Sequence, residues 1–200
     1  MSSQCKKIDV ILSKKLSYLL RHGAVREGLN IRSDGFILVE ELLSKSLRGY
    51  TLNDIQRVVE NNSKNRFTLC SFNNALWIKA NQGHSLSEID TLNLRPVKSP
   101  TFDIIHGTYF SCWEKIKREG LSRMKRNHIH FAKGLNFICG LRKNSEIYIY
   151  ISFEKAIKNG LRFEESNNGV ILCTGNSNGI IETKYFLKTV SKDGELLFPC

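Results

Sequence analysis

The hydrophobic period of this chain changes partway along it, and that change limits the folds open to it. From Ile8 to Leu20 the apolar residues Ile8, Ile11, Leu12, Leu16, Leu19 and Leu20 fall at helical spacing. Gly23 is the expected stop, with Arg21 and His22 in the last turn, where cations suit the helix dipole. Ser33-Asp34-Gly35 reads as a turn, and the apolar run Phe36 to Val39 leads into a short helix at Glu40-Glu41-Leu42-Leu43. Thr51 and Asp54 predict a capping box that opens a third helix through Ile55, Val58 and Val59. From Arg66 the period becomes that of strands. The segments 66–71 and 75–80 flank Asn73-Asn74 and predict a hairpin.

Residues 86–102 are polar, hold two of the three prolines, Pro96 and Pro100, and read as a linker. Beyond it a strand at Phe102 to Ile105 runs into His106-Gly107-Thr108. Ser111 and Glu114 predict a capping box for the next helix, which Gly120 ends. Further strands are expected at 128–132, 146–153, 169–174 and 179–182. The polar segment after Thr189 carries no assigned role. The expected fold class is α+β, with a boundary between residues 1–95 and 96–200.

Charge limits the partners. The chain of 200 residues carries a formal +11. Residues 1–95 hold 14 basic and 9 acidic groups, and residues 96–200 hold 16 and 10, so both halves are basic. An excess of this size suggests a polyanionic partner. The cysteines at 5, 70, 112, 139, 173 and 200 form no CxxC pair, so no zinc site is expected. With no apparent export signal or lipidation motif, reduced thiols and a cytoplasmic or nuclear location are expected. No apolar run is long enough to span a membrane. Nothing suggests a coiled coil, so a monomer is expected.

The usual nucleotide and hydrolase motifs are absent. There is no GxGxxG after a strand, no GxxxxGK[ST] loop and no HExxH. The five histidines, at 22, 84, 106, 128 and 130, lie beside or close to Gly, Arg, Asn or Thr. Alone, each reads more simply as a satisfied polar residue than as a catalyst. His128 and His130 share a face of their strand, but no third metal ligand lies nearby.

Seven motifs in order carry more weight together. They are the run Leu12 to Gly23, which ends in Arg21-His22-Gly23, then Ser33-Asp-Gly-Phe36, Lys64-Asn-Arg-Phe67, Ala80-Asn-Gln-Gly-His-Ser85, His106-Gly-Thr108, Lys125-Arg-Asn-His-Ile-His-Phe-Ala132 and Asn168-Gly-Val-Ile-Leu172. In this set the chain resembles the tRNA 2′-phosphotransferase family from about residue 12 to residue 186. The resemblance implies an N-terminal winged-helix RNA-binding lobe and a C-terminal ADP-ribosyltransferase-like lobe that binds NAD⁺ without a Rossmann motif.

It also implies the chemistry. The 2′-phosphate of RNA attacks the nicotinamide ribose and expels nicotinamide. The resulting ADP-ribosylated RNA then yields 2′-hydroxyl RNA and ADP-ribose 1″,2″-cyclic phosphate, with no metal. Family residues carry over to Arg21, His22, Arg66 and Arg142 as the catalytic set around the 2′-phosphate. Lys64 and Lys79 join Arg21, His22 and Arg66 on the RNA side. His106, Gly107, Thr108, His130 and Val170 fall in the three NAD⁺ motifs. Arginine suits a phosphate dianion because its planar fork gives paired, permanently charged donors. His22 is the candidate proton donor to the leaving RNA oxygen. Lys79 stands where the family often has Arg, which keeps the charge and loses the fork. Val170 stands where protein-modifying relatives place Glu, which argues against protein ADP-ribosylation. Two alternatives are ADP-ribosylation of terminal phosphates on nucleic acids and a non-catalytic RNA-binding module.

Overall fold

The structure is a computed structural model that describes residues 3–90 and 92–199. Met1, Ser2 and Cys200, and the side chain of Cys5, lie outside the description. The chain divides into two compact units, Met1–Asn93 and Leu94–Cys200.

In the first unit, helix α1 (Ser3–Tyr18) runs into a π-helical turn, Leu19–Gly23. Strand β1 (Ile37–Leu38), helix α2 (Val39–Lys45), helix α3 (Leu52–Glu60) and strands β2 (Phe67–Phe72) and β3 (Ala75–Ala80) follow. Leu12, Leu16 and Leu20 are fully buried with Ile37, Leu42, Ile55 and Ile78. Ile8 and Ile11, expected on the buried face of the first helix, are 42% and 51% exposed. Ile11 points about 100° away from its neighbour Leu12, off the buried row.

Thr51 caps α3 as predicted. The Asp54 amide donates to Thr51 Oγ1 and the Thr51 amide donates to an Asp54 carboxylate oxygen. Arg57 of α3 bridges to Asp9 of α1 at 2.7 Å and ties the two helices together. The three strands form an antiparallel sheet in the order β1-β3-β2. Asn73 and Asn74 both take positive φ, 49° and 57°, as a two-residue hairpin turn with matching twist requires.

The supposed linker is partly core. Leu86 and Ile89 are buried with the first unit's apolar side chains, because the chain after β3 stays bonded to this unit, through the Ser85 amide to Arg21 and the Asp90 amide to Ser33.

The second unit is built on an eight-stranded sheet in the order β13-β12-β8-β5-β7-β10-β9-β4, with antiparallel pairing throughout. In chain order its elements are β4 (Arg95–Pro96), β5 (Ile104–Thr108), α4 (Phe110–Glu119), β6 (Leu121–Ser122), β7 (Ile129–Lys133) and β8 (Ile147–Ile151). Then come α5 (Phe153–Lys158), β9 (Glu164–Glu165), β10 (Ile171–Cys173), β11 (Ile180–Ile181), a 3₁₀ turn at Thr183–Tyr185, β12 (Phe186–Ser191) and β13 (Leu196–Pro199). Strands β6 and β11 pair apart from the main sheet. The core is Ile104, Phe131, Ile147, Ile149, Phe163, Ile171 and Phe186 with their neighbours. Pro96 sits on the edge strand β4, where its missing N–H costs no ladder bond.

Helix α4 does not start on the predicted capping box. Tyr109 is its N-cap and makes no side-chain cap bond. Strand β5 delivers the chain in extended form through Tyr109, so Ser111 falls inside the first turn. The amide of Phe110 instead donates to a carboxylate oxygen of Glu146 at 2.9 Å, which places negative charge at the positive end of the helix. Gly120 ends the helix at φ 86°, and a Cβ there would lie 2.5 Å from the Ile181 carbonyl oxygen.

Candidate functional site

In the first unit one short segment, residues 81–85, hydrogen-bonds to the stretches of chain that carry Arg21, His22 and Arg66. Its two ends hold different parts of the fold. At one end the Ser85 amide donates to the Arg21 carbonyl at 2.9 Å, and Ser85 Oγ lies 2.8 Å from His22 Nδ1. Arg21 and His22 both sit on the π-turn, a wider and rarer turn than the α-helix that is often found at functional sites. Gly83 takes φ 91°, and a Cβ there would stand 3.4 Å from Cδ and Nε of Arg21. The segment thus runs close along the arginine side chain.

At the other end the Asn81 amide donates to the Arg66 carbonyl at 2.9 Å. The Asn81 side-chain amide donates to the Asn65 carbonyl at 2.7 Å and accepts from Thr68 Oγ1 at 2.6 Å. Arg66 Nη1 donates to Asn62 Oδ1 at 3.0 Å, and the Lys64 amide donates to the same oxygen. Asn62, Asn81 and Ser85 are the supporting residues that sequence reasoning gave no role, although two of them lie in a quoted motif.

Lys79 is placed differently from the other cations. It is only 5% exposed, and its ammonium lies 4.6 Å from the centre of the Phe36 ring. Burial pulls its pKa below the usual lysine value, against the charge of Asp34. The side chain is spent on its own fold, joining β3 to the Ser33–Phe36 turn.

In the second unit His106 lies on β5 and its Nδ1 is 2.9 Å from the His130 carbonyl oxygen. A carbonyl only accepts, so the proton sits on Nδ1 and Nε2 is left as the acceptor. Burial holds the pKa of His106 below the usual value, the His130 bond opposes this, and the charges of Arg142 and Arg126 lower it further. At neutral pH His106 is therefore an uncharged ring offering a lone pair. His130, on β7, contributes its backbone to this arrangement.

Arg142 is exposed, donates to the Tyr109 hydroxyl at 3.2 Å and lies over that ring. The Tyr109 hydroxyl in turn donates to Asn144. Burial and the charge of Arg142 lower the pKa of Arg126. Among the described residues neither arginine has a carboxylate partner. Arg126 lies in a quoted motif, and its part in this cationic group shows only in three dimensions.

Thr108 is buried at the end of β5, where its carbonyl accepts from Glu146. A Cβ on Gly107 would stand 2.5 Å from Ser145 Oγ and 2.8 Å from Leu141, so the space the glycine leaves is filled by the unit's own side chains. Val170 is fully buried with Cys139 and Leu172, where a carboxylate would be costly. Among the described residues no group of three His, Cys, Asp or Glu side chains could hold a metal ion. No helix among them is long and apolar enough to cross a membrane.

A model of the RNA 2′-phosphotransferase, Tpt1 / KptA family matches residues 7–175. The chain is 44% identical to a tRNA 2′-phosphotransferase 1 of Danio rerio, over 89% of this chain and 84% of that one. It is 43% identical to a tRNA 2′-phosphotransferase 1 of Homo sapiens, over 89% and 74%. With a tRNA 2′-phosphotransferase of Saccharomyces cerevisiae it shares 37% identity over 97% and 90%.

Proposed function

The chain belongs to the RNA 2′-phosphotransferase, Tpt1 / KptA family, and from that membership we propose that it is a tRNA 2′-phosphotransferase with NAD⁺ as the phosphate acceptor. The observation that carries the site is the 81–85 segment, which holds the Arg21-His22 turn at one end and Arg66 at the other. A phosphate dianion needs fixed, preorganised positive charge, and guanidinium groups on a hydrogen-bonded frame supply it without reorganisation. In this reading Arg21, His22 and Arg66 hold the 2′-phosphate and Lys64 assists, and Arg142 is the further catalytic residue that the family resemblance assigns. The first unit serves as a winged-helix RNA lobe and the second as an ADP-ribosyltransferase-like lobe. Helices with a small antiparallel sheet support the first assignment, and the mainly antiparallel eight-stranded sheet supports the second.

The residues present fit a dinucleotide. The neutral His106, with Nε2 as acceptor, suits a ribose hydroxyl, and Arg126, without a carboxylate partner among the described residues, suits a phosphate oxygen. Gly107, Thr108, His130 and Val170 complete the three motifs that the resemblance assigns to NAD⁺, Val170 from a fully buried position. When bound, NAD⁺ supplies the ribose carbon that the RNA phosphate attacks.

The test is to incubate the protein with NAD⁺ and a short RNA bearing one internal 2′-phosphate, without added metal. The expected products are nicotinamide, 2′-hydroxyl RNA and ADP-ribose 1″,2″-cyclic phosphate. Arg66→Ala should slow turnover by about 10²–10³-fold, the usual loss for one preorganised donor. Turnover that is independent of NAD⁺ would overturn the acceptor, and no turnover would overturn the function.

A further inference from the structure

The Ala80–Ser85 motif is only partly absorbed by this function. Asn81 and Gly83 act on the backbone of Arg66 and the side chain of Arg21, which leaves the Ser85 hydroxyl. That hydroxyl is 2.8 Å from His22 Nδ1, and the Ser85 amide separately holds the Arg21 carbonyl. We propose that Ser85 is the positioning residue for His22: its hydroxyl accepts the Nδ1 proton and leaves Nε2 as the one ring atom that exchanges a proton with the RNA.

The proton transfer assigned to His22 rests on the proposed phosphotransferase reading, and the Ser85–His22 contact stands on geometry alone. His22 is an exposed side chain on a turn, and the Ser85 hydroxyl faces its Nδ1 directly. As a proton donor it starts as imidazolium with hydrogens on both nitrogens. Once Nε2 has given its proton to the departing RNA oxygen, the neutral ring keeps its hydrogen on Nδ1. An acceptor facing Nδ1 is therefore needed before and after the transfer, and the serine oxygen provides one in both states. A neutral hydroxyl does this without raising the affinity of the ring for its proton, as a carboxylate would.

The bond makes an unusual prediction. An unconstrained neutral imidazole favours the hydrogen on Nε2, whereas Ser85 should hold His22 in the Nδ1–H form. Because the Ser85 amide is present in any non-proline variant, Ser85→Ala removes the hydroxyl and leaves the clamp on Arg21.

The experiment is ¹⁵N NMR of the His22 ring in the full chain, above its titration, together with steady-state kinetics. The native protein should show Nδ1–H, Ser85→Ala should show Nε2–H, and Ser85→Thr should restore Nδ1–H. In parallel kcat should fall about 10- to 10²-fold in the alanine variant, the scale of a misplaced catalytic group, with KM little changed and the threonine variant recovering. A native ring with hydrogen on Nε2 would make Ser85 the donor and overturn the assigned direction, and an alanine variant with an unchanged ring would overturn the bond's hold on the tautomer. A changed ring with unchanged kcat would overturn the positioning role. The expected ring states in a native protein that does not turn over 2′-phosphorylated RNA would support the Ser85–His22 bond and overturn the phosphotransferase reading instead.

Discussion

At the residue scale, Gly83 is the glycine whose backbone conformation bears most directly on the candidate site. Its φ of 91° lies where side chains are strained, and a Cβ would come into contact with the Arg21 side chain. Gly83→Ala is expected to cost about 1–3 kcal/mol, measured as a lower midpoint in urea. Activity should fall further than that loss explains, because Arg21 moves. An alanine variant with native stability and native turnover would show that the close approach is incidental. The sequence motifs brought Arg21, His22 and Arg66 into view because guanidinium and imidazole groups are chemically conspicuous. The residues that hold them are not conspicuous. Ser85 meets His22 across 63 positions of chain, and Asn62 and Asn81 are ordinary loop amides until their oxygens are seen to accept from Arg66 and Thr68. Lys79 shows the converse: its charge is visible in sequence, and its burial over Phe36 is not.

At the element scale, the π-turn separates what periodicity can and cannot say. The spacing of Leu12, Leu16 and Leu20 marks a helix that ends by Gly23. The same residues satisfy an α-turn or a π-turn, because the two differ only in which carbonyl each amide reaches. Packing discriminates between them here. The Tyr18 ring lies where a Cβ on Gly23 would stand, 2.5 Å from the nearest ring atom. Gly23→Ala should therefore destabilise the first unit by about 1–3 kcal/mol through overpacking. Tyr18→Ala in the same chain should recover most of that loss, and the recovery is read as a coupling energy in a double-mutant cycle. Independent, additive effects would mean that the ring does not shape the turn. The β12–β13 hairpin escaped the sequence for a related reason. A register shift between Phe186 and Lys188 leaves Leu187 and Lys188 exposed side by side, which breaks the alternation that marks a strand.

At the scale of the whole molecule, the change of period announced helices and then strands, and the basic excess in both halves announced an anionic partner. The order of the eight-stranded sheet was not legible, because β5 pairs with β7 and β8 rather than with its neighbours in sequence. Charge of this size has a measurable consequence. Raising salt from about 50 to about 200 mM should weaken RNA binding by on the order of tenfold or more, as phosphate contacts release counterions. Affinity that is flat with salt would contradict a binding mode led by phosphate.

Stability should also depend on pH in a direction the histidines set. Burial holds His106 and His128 below the ordinary histidine value of 6.5, and nearby arginines push the same way. Above that value both rings are neutral in folded and unfolded chains, so neither affects the balance. As pH falls through it, the unfolded chain takes up protons that the folded chain refuses, and stability is lost. Glu41 and Asp54, held below their ordinary values of 4.5 and 3.8, act in the same direction only at lower pH. The window between about pH 6.5 and 5 therefore belongs to the histidines. The melting temperature should fall across it in the native protein, and the fall should flatten in His106→Gln with His128→Gln, where neither side chain titrates. Equal slopes in both proteins would mean that these two rings do not govern acid sensitivity.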